Sequence, residues 1–408
     1  MAGAKVKVLV LGAGFGGLYT ALLAHRALGR RAEITVVDRN EYFLFTPLLY
    51  QIVTGALAPR HVARPLARLV PRDVRFVQAE VRAVDLPDRR VETEQGPLTY
   101  DFLVIALGSV TNFYGLRSVE KYAFPFRTLA DALRLRAHVE RRFGEAQQDP
   151  RMAAPDHMRV VVAGAGCTGV ELITELHDWM HGPLRRRFPG VPDRAVSLIL
   201  AEALDHLLCP INPALLRAAV RSLVERRIDM RFAHVVNDVS PDRARAQTTA
   251  GEVEIATRTV VWTAGIKGHP LLAGLPVAYG PGGRIRVNAT LQVPEYPDVL
   301  VVGDAAACPD QGSGLVPVTA QVAVQQAPAA ARVLAALTAG RDPEPFRYRR
   351  KGEVLGLGRL GAVAEAFGVR FVGLPAWLVT RTVHLARLPD WGDRVAVAWA
   401  WAKDLVKG

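Results

Sequence analysis

Two glycine-rich turns carry the residue types and spacing that bind nucleotide diphosphates. In Gly12-Ala13-Gly14-Phe15-Gly16-Gly17 the first glycine makes a tight turn after an apolar run, and the second lets backbone approach a pyrophosphate. The last lets the following helix pack closely on its strand. The phosphates then face a helix N-terminus, where free N–H groups and the dipole favour an anion. Asp38 stands about twenty residues beyond Gly17, at the end of the next apolar run, where a carboxylate can hold both ribose hydroxyls. Gly164-Ala165-Gly166-Cys167-Thr168-Gly169 repeats the turn, with Glu202 in the acidic position after a longer interval. No arginine follows Glu202 closely, so a 2′-phosphate would meet an uncompensated carboxylate and NADH is favoured over NADPH.

Other residues invite chemistry of their own. Glu171 follows the second turn directly and is suited to orienting a nicotinamide or joining a proton path; it is equally a first-turn carboxylate held by the helix dipole. The strands that run into Ala106-Leu107-Gly108 and Ala264-Gly265 end on small residues, which let backbone come near a ligand. Gln321 and Gln325 lie four apart and share one helical face. Cys167, Cys209 and Cys308 form no CxxC pair and read as structural, and a zinc cluster is not expected. His177 and His181 also share a helical face, but Asp178 replaces the glutamate of HExxH and no third ligand is evident, so they read as surface histidines.

The elements that must position these residues repeat. Val6 to Leu11, the helix from Leu18 to Leu28, and Glu33 to Val37 make one βαβ unit; Arg159 to Ala163 through Ala195 to Leu200 make a second. The fold class expected is α/β, with two Rossmann-like dinucleotide-binding domains and a C-terminal amphipathic helical region that anchors on a membrane. Residues 144–158 read as an exposed connection. Asp298 to Asp304 form a strand that returns to a ligand through Gly303-Asp304, followed by an alanine-rich helix over about Thr319 to Ala339. Both belong with the first unit. The expected division is an FAD-binding domain over 1–155 and 269–340, an inserted NADH-binding domain over 156–268, and a membrane-association region over 341–408.

These turns, with Phe45-Thr46-Pro47-Leu48-Leu49-Tyr50, Val302-Gly303-Asp304 and Ala320-Gln321-Val322-Ala323-Val324-Gln325, resemble the type II NADH:quinone oxidoreductases, over nearly the whole chain. The resemblance implies FAD and NADH as cofactors, transfer of electrons to a membrane quinone (menaquinone or ubiquinone) and no proton pumping. It implies Pro47 and Leu48 beside the flavin, Asp304 on the ribityl chain, Ala320 and Gln321 at the flavin edge, and Gln321 and Gln325 toward the quinone. A glutamate near the nicotinamide, here Glu171, is also shared. Soluble FAD-dependent NADH reductases and flavin redox sensors of the same fold are the alternatives; the first is weakened by the lack of a cysteine pair in sequence.

Lys and Arg number 51 against 39 Asp and Glu, a net charge of +12, which calls for an anionic partner. No zinc-finger spacing or RNA-binding aromatic motif accompanies it, so no nucleic acid is expected. From Phe346 onward 11 Lys+Arg face 5 Asp+Glu, so half the excess lies in the tail. There Leu378, Val379, Thr382, Val383, Leu385 and Ala386 fill one arc of a helix, opposite Trp377, Arg381, His384 and Arg387. A second helix from Asp393 gathers Val395, Ala398, Trp399, Trp401, Ala402, Leu405 and Val406 opposite Lys403, Asp404 and Lys407. Basic helices with tryptophan suit a lipid interface; packing on the chain's own core or on a second subunit, as a homodimer, is the other reading. No stretch reaches the ~18 uncharged apolar residues of a spanning helix. A peripheral place on the cytoplasmic side of the cell (inner) membrane is expected.

Overall fold

The structure is a computed structural model that describes residues 5–209, 211–312 and 314–407, with 406 and 407 described in backbone alone. The side chains of Val406 and Lys407, placed above on opposite sides of a helix, lie outside the described residues. The chain forms two compact units, one from the described residues of 1–44, 63–110 and 266–350, the other from those of 45–62, 111–265 and 351–408.

In the first unit Val6–Leu11 is the centre of a six-stranded sheet, paired in parallel with Ala32–Asp38 and Phe102–Ile105. Tyr296–Val301 extends the sheet beside Phe102–Ile105, and Arg75–Gln78 lies beyond Ala32–Asp38. Val8, Leu9, Val10 and Leu11 are all buried, as a parallel strand covered on both faces requires. The Phe15–Leu28 helix packs along the Ala320–Thr338 helix. That approach depends on small residues: Ala323, Ala327, Ala330 and Ala331 are buried on the second helix. Thr319 caps it, its hydroxyl accepting from Val322 N at 3.3 Å.

The second unit repeats the plan. Arg159–Ala163 is central, flanked in parallel by Ser197–Ala201 and Thr259–Trp262, with Asp229–Arg231 and Phe124–Pro125 outside them. The Cys167–Trp179 helix follows the glycine turn and passes through a five-residue π turn, Met180–Leu184, into Arg185–Arg187. Where an exposed connection is expected over 144–158, the Leu129–Gln148 helix runs on, followed by short turns at Pro150–Ala153 and Pro155–Met158. Leu135, Val139, Phe143 and Ala146 bury one stripe of it, and that stripe outweighs the polar composition of its end. Thr128 and Asp131 close its start as a capping box.

The same unit ends in an antiparallel sheet of Gly352–Gly356, Ala362–Ala366 and Val369–Val372, then the helices Leu374–Arg387 and Trp391–Lys407. These helices have unusual faces. Thr380, His384, Asp393 and Trp401 are buried, whereas Leu378, Trp391, Val395 and Trp399 are each more than half exposed. Trp401 therefore does not share an outward apolar side with Val395 and Trp399. It turns inward because its indole N–H donates to Gln51 Oε1 at 2.7 Å and the Arg381 guanidinium lies 4.2 Å from its ring centroid. Among the described residues no helix is long and apolar enough to cross a membrane.

Candidate active site

The first turn is held by its acid. Ala13 N donates to Asp38 Oδ2 at 2.7 Å, and Asn40 donates to the other oxygen from its backbone at 2.8 Å and its side chain at 3.1 Å. Gly12 has φ +94°, and a Cβ there would sit 2.4 Å from Ala106 O, so only glycine fits. A Cβ on Gly17 would stand 1.8 Å from Gly12 O. At Gly14, in contrast, a Cβ would meet nothing within 4 Å: the helix N-terminus opens on free space. Gly108 and Gly303, each at φ +70°, end the two neighbouring strands beside the turn, and Asp304 Oδ2 accepts from Ser109 Oγ at 2.7 Å. The buried Gln326 takes Gly303 N on its Oε1 at 2.6 Å, a role no spacing in the sequence points to.

The second turn repeats this arrangement. Ala165 N donates to Glu202 Oε2 at 2.7 Å, and Leu204 N to Oε1 at 3.1 Å. Gly164 has φ +106°, with Ala264 Cα only 2.6 Å from where its Cβ would be, and a Cβ on Gly169 would lie 2.0 Å from Gly164 O. Gly166 again faces open space. Gly265, at φ +146°, leaves no room for a side chain beside Tyr114, whose hydroxyl donates to Ala264 O at 3.0 Å.

These two cradles fit dinucleotides on physical grounds. The positions that must be bare for packing are glycine, the positions that would face a phosphate are open, and a carboxylate fixes each turn from the neighbouring strand.

Beyond the second turn lies a cluster of titratable groups. Glu171 is partly exposed and accepts Gly356 N on Oε1 at 3.1 Å. One helical turn on, the buried Glu175 accepts from Thr54 Oγ1 at 3.2 Å, while its second oxygen has no hydrogen-bond partner. Burial pushes the Glu171 carboxyl up to about 8 against the Gly356 hydrogen bond, with Glu175 adding to the rise. Burial likewise pushes Glu175 up to about 7, opposed by the Arg381 guanidinium. Both carboxyls therefore exchange a proton near neutral pH.

Tyr50 borders both acids; burial raises its phenol above the ordinary value, and Gln51 Nε2 donates to its oxygen at 3.2 Å. A Cβ on Gly356 would sit 2.8 Å from Tyr50 Oη, so glycine there keeps Glu171 and Tyr50 close to the strand. His384 is buried and pushed down to about 3, first by burial and then by Arg381 and Arg387, and is neutral. Of this cluster the sequence points only to Glu171. Glu175 has one signal, its i+4 spacing from Glu171; Gly356 and Arg381 have none.

The other expected residues fall as follows. Leu48 is fully buried in the Thr46–Leu48 turn and Pro47 is partly exposed. Ala320 opens its helix. Gln321 and Gln325 do share a face, and both engage the chain that follows the helix: Tyr348 Oη donates to Gln321 Oε1 at 3.2 Å, and Gln325 pairs with Arg349 N at 3.1 Å and Arg349 O at 2.9 Å. His177 and His181 are each paired with a carboxylate, Asp178 at 3.0 Å and Asp193 at 2.7 Å.

The protein-family model for pyridine nucleotide-disulphide oxidoreductases matches residues 6–327. The chain is 32% identical over 415 residues to the demethylphylloquinone reductase NdbB of Synechocystis sp., covering 98% of this chain and 96% of that one. It is 32% identical over 414 residues to the type II NADH:quinone oxidoreductase Ndh of Mycobacterium tuberculosis, covering 97% and 87%. The chain belongs to the type II NADH:quinone oxidoreductase family. Among solved structures, NDH2 from Plasmodium falciparum in complex with NADH superposes with a TM-score of 0.89 at 18% identity, covering 98% of both chains, and so shares the fold. Membership of this family gives the paired cradles their context: a flavin-dependent oxidoreductase with the α/β architecture expected from its two turns.

Proposed function

We propose that this protein is an FAD-dependent NADH:quinone oxidoreductase that does not pump protons. Net, NADH, a proton and a quinone give NAD⁺ and a quinol. Bound FAD would supply a two-electron relay between NADH and the quinone. The observation that carries the reading is the pair of equivalent cradles in a chain of this family, one for each nucleotide. FAD is assigned to Gly12, Gly14, Gly17 and Asp38 with Ala106, Gly108, Gly303 and Asp304; NADH to Gly164, Gly166, Gly169 and Glu202 with Ala264 and Gly265.

The chain's own chemistry in this reaction is positioning and proton supply. Helix N-termini hold the phosphates and the two acids fix the turns. The reaction consumes a proton, and Glu171, protonated up to about pH 8, is the group assigned to hold it. Gln321 and Gln325 are assigned to the quinone side, where their amides can exchange Tyr348 and Arg349 for quinone carbonyls.

The tail is assigned to a lipid surface, on the cytoplasmic side. Support comes from Leu378, Trp391, Val395 and Trp399, which expose apolar surface while polar side chains of the same helices turn inward. Steady-state oxidation of NADH by a short-chain quinone tests the activity: rapid turnover with loss on removal of FAD is expected, and negligible turnover with every quinone overturns the reading. Flotation with anionic vesicles tests the tail. Retention that Trp399→Ser with Val395→Ser abolishes is expected, and unchanged flotation, or a dimer in sedimentation that the same changes dissolve, overturns it.

A further inference from the structure

The cysteines look unrelated in sequence, yet two of them meet. Cys167 is the first residue of the Cys167–Trp179 helix and lies inside the second glycine turn, partly exposed. Cys209 is buried. The segment carrying it is tied to the turn by Leu208 N, which donates to Ala165 O at 3.0 Å. The Cys209 thiol hydrogen-bonds the Cys167 side chain, and Glu171 and Glu353 lie near enough to act on it. We propose that Cys167 and Cys209 are a dithiol that closes to a disulfide under peroxide and, by doing so, disables the NADH turn. The functional half of this rests on assigning NADH to that turn.

The chemistry balances with a hydroperoxide as oxidant. The Cys167 sulfur, the one an oxidant reaches, attacks a peroxide oxygen; the O–O bond breaks and one water leaves, giving a sulfenic acid. The Cys209 sulfur then displaces the hydroxyl, its proton leaving with it as a second water, and the S–S bond forms. Two thiols lose two hydrogens and two electrons, and hydrogen peroxide becomes two waters. Burial keeps Cys209 away from the oxidant, so Cys167 reacts first; the hydrogen bond to Cys167 and burial also hold the Cys209 thiol protonated, and that proton must leave as its sulfur attacks.

The consequence follows from where Cys167 stands. Gly166 beside it faces open space on the side where a diphosphate would lie, so a bound nucleotide covers Cys167 and a covalent link fixes the turn to the 207–209 segment. NADH and the disulfide therefore exclude one another. Cys308, fully buried in the other unit with its thiol pushed up to about 11 by burial, is the internal control that stays reduced.

The test treats the holoenzyme with hydrogen peroxide, with and without NADH, and reads thiol count, tryptic peptides and NADH affinity. Expected are a fall from three free thiols to one, a Cys167–Cys209 peptide reducible by dithiothreitol, slower crosslinking with NADH present, and a loss of about tenfold or more in NADH affinity. Cys209→Ala should bind NADH as wild type does and keep that affinity after peroxide once sulfenic acid is reduced. Peroxide-treated protein that retains all three thiols, or carries only sulfinic and sulfonic acids on Cys167, overturns the dithiol. A crosslink that leaves NADH affinity unchanged overturns the switch. If Glu202→Ala also leaves affinity unchanged, the fault lies in the assignment of NADH to this turn.

Discussion

The two glycine turns are built alike and are followed by unlike helices. Each has a first glycine near φ +100°, a glycine that touches its own turn, and an alanine N–H held 2.7 Å from a carboxylate on the next strand. After the first turn, Phe15–Leu28 carries no acid at all and buries small residues against an alanine-rich helix. After the second, Cys167–Trp179 carries Glu171 and Glu175, both raised toward neutral pH. The comparison separates two jobs. The turn binds a nucleotide, and whether proton chemistry accompanies the binding depends on which side chains the next helix presents and how far they are desolvated.

The largest effects should come from breaking each turn alone. Gly17→Val forces a side chain into Gly12 O, and Gly169→Val into Gly164 O, contacts that neither backbone can relieve. Gly17→Val should purify without visible flavin absorbance. Gly169→Val should remain yellow and show no NADH binding by calorimetry. If both variants lose both ligands, or neither, the turns do not divide the nucleotides between them.

The proton chemistry should belong to the second helix. With Glu171 as proton holder, quinone turnover is sustained while its carboxyl is protonated and falls as pH rises through about 8. Glu171→Gln should lower kcat by about 10²-fold, the low end of general acid catalysis, and remove that descending limb from the pH profile. A variant with wild-type kcat and an unchanged limb would leave Glu171 only as the acceptor that ties Gly356 N to the helix.

Glu175 should show itself in stability instead. Its folded-state proton is held more tightly than the ordinary 4.5, so its contribution is fully present below that value and lost as pH rises through about 7. Glu175→Gln should therefore leave the protein more stable than wild type at pH 8, on the order of 3 kcal/mol, and nearly equal at pH 4. Denaturant melts at the two pH values measure it, and a constant difference between them would mean that Glu175 ionises freely in the fold.

How much of this was legible follows from range in sequence. The turns, Asp38 and Glu202 were readable because a βαβ unit is local and its chemistry depends on fixed spacing. The acid cluster was not, because Glu171 finds Gly356 and Trp401 finds Gln51 across long stretches of chain. The helical wheel of the tail put Trp401 with Val395 and Trp399, since periodicity reports which residues share a face and not which face is buried. Gln321 and Gln325 share a face as their spacing requires, but their engagement by Tyr348 and Arg349 depends on how the following segment returns. Cys167 and Cys209 meet only because the segment after the Ser197–Ala201 strand folds back on the turn.

The smallest effect tests that inward turn of the tail. Trp401 joins the last helix to Tyr50 and the acids through one chain of contacts: its indole N–H on Gln51 Oε1, Gln51 Nε2 on the Tyr50 oxygen, and its ring under Arg381. Trp401→Phe keeps most of the apolar surface and removes the donor, leaving Gln51 Oε1 buried without its partner, a loss of about 1–3 kcal/mol. The outward Trp399 has no such link, and Trp399→Phe should change stability by less than about 0.5 kcal/mol. Because the Gln51 link ends on Tyr50, Trp401→Phe should also shift the pH at which quinone turnover declines, whereas Trp399→Phe should not. Equal behaviour of the two variants in both measurements would show that the helix is joined to the acid cluster by packing alone.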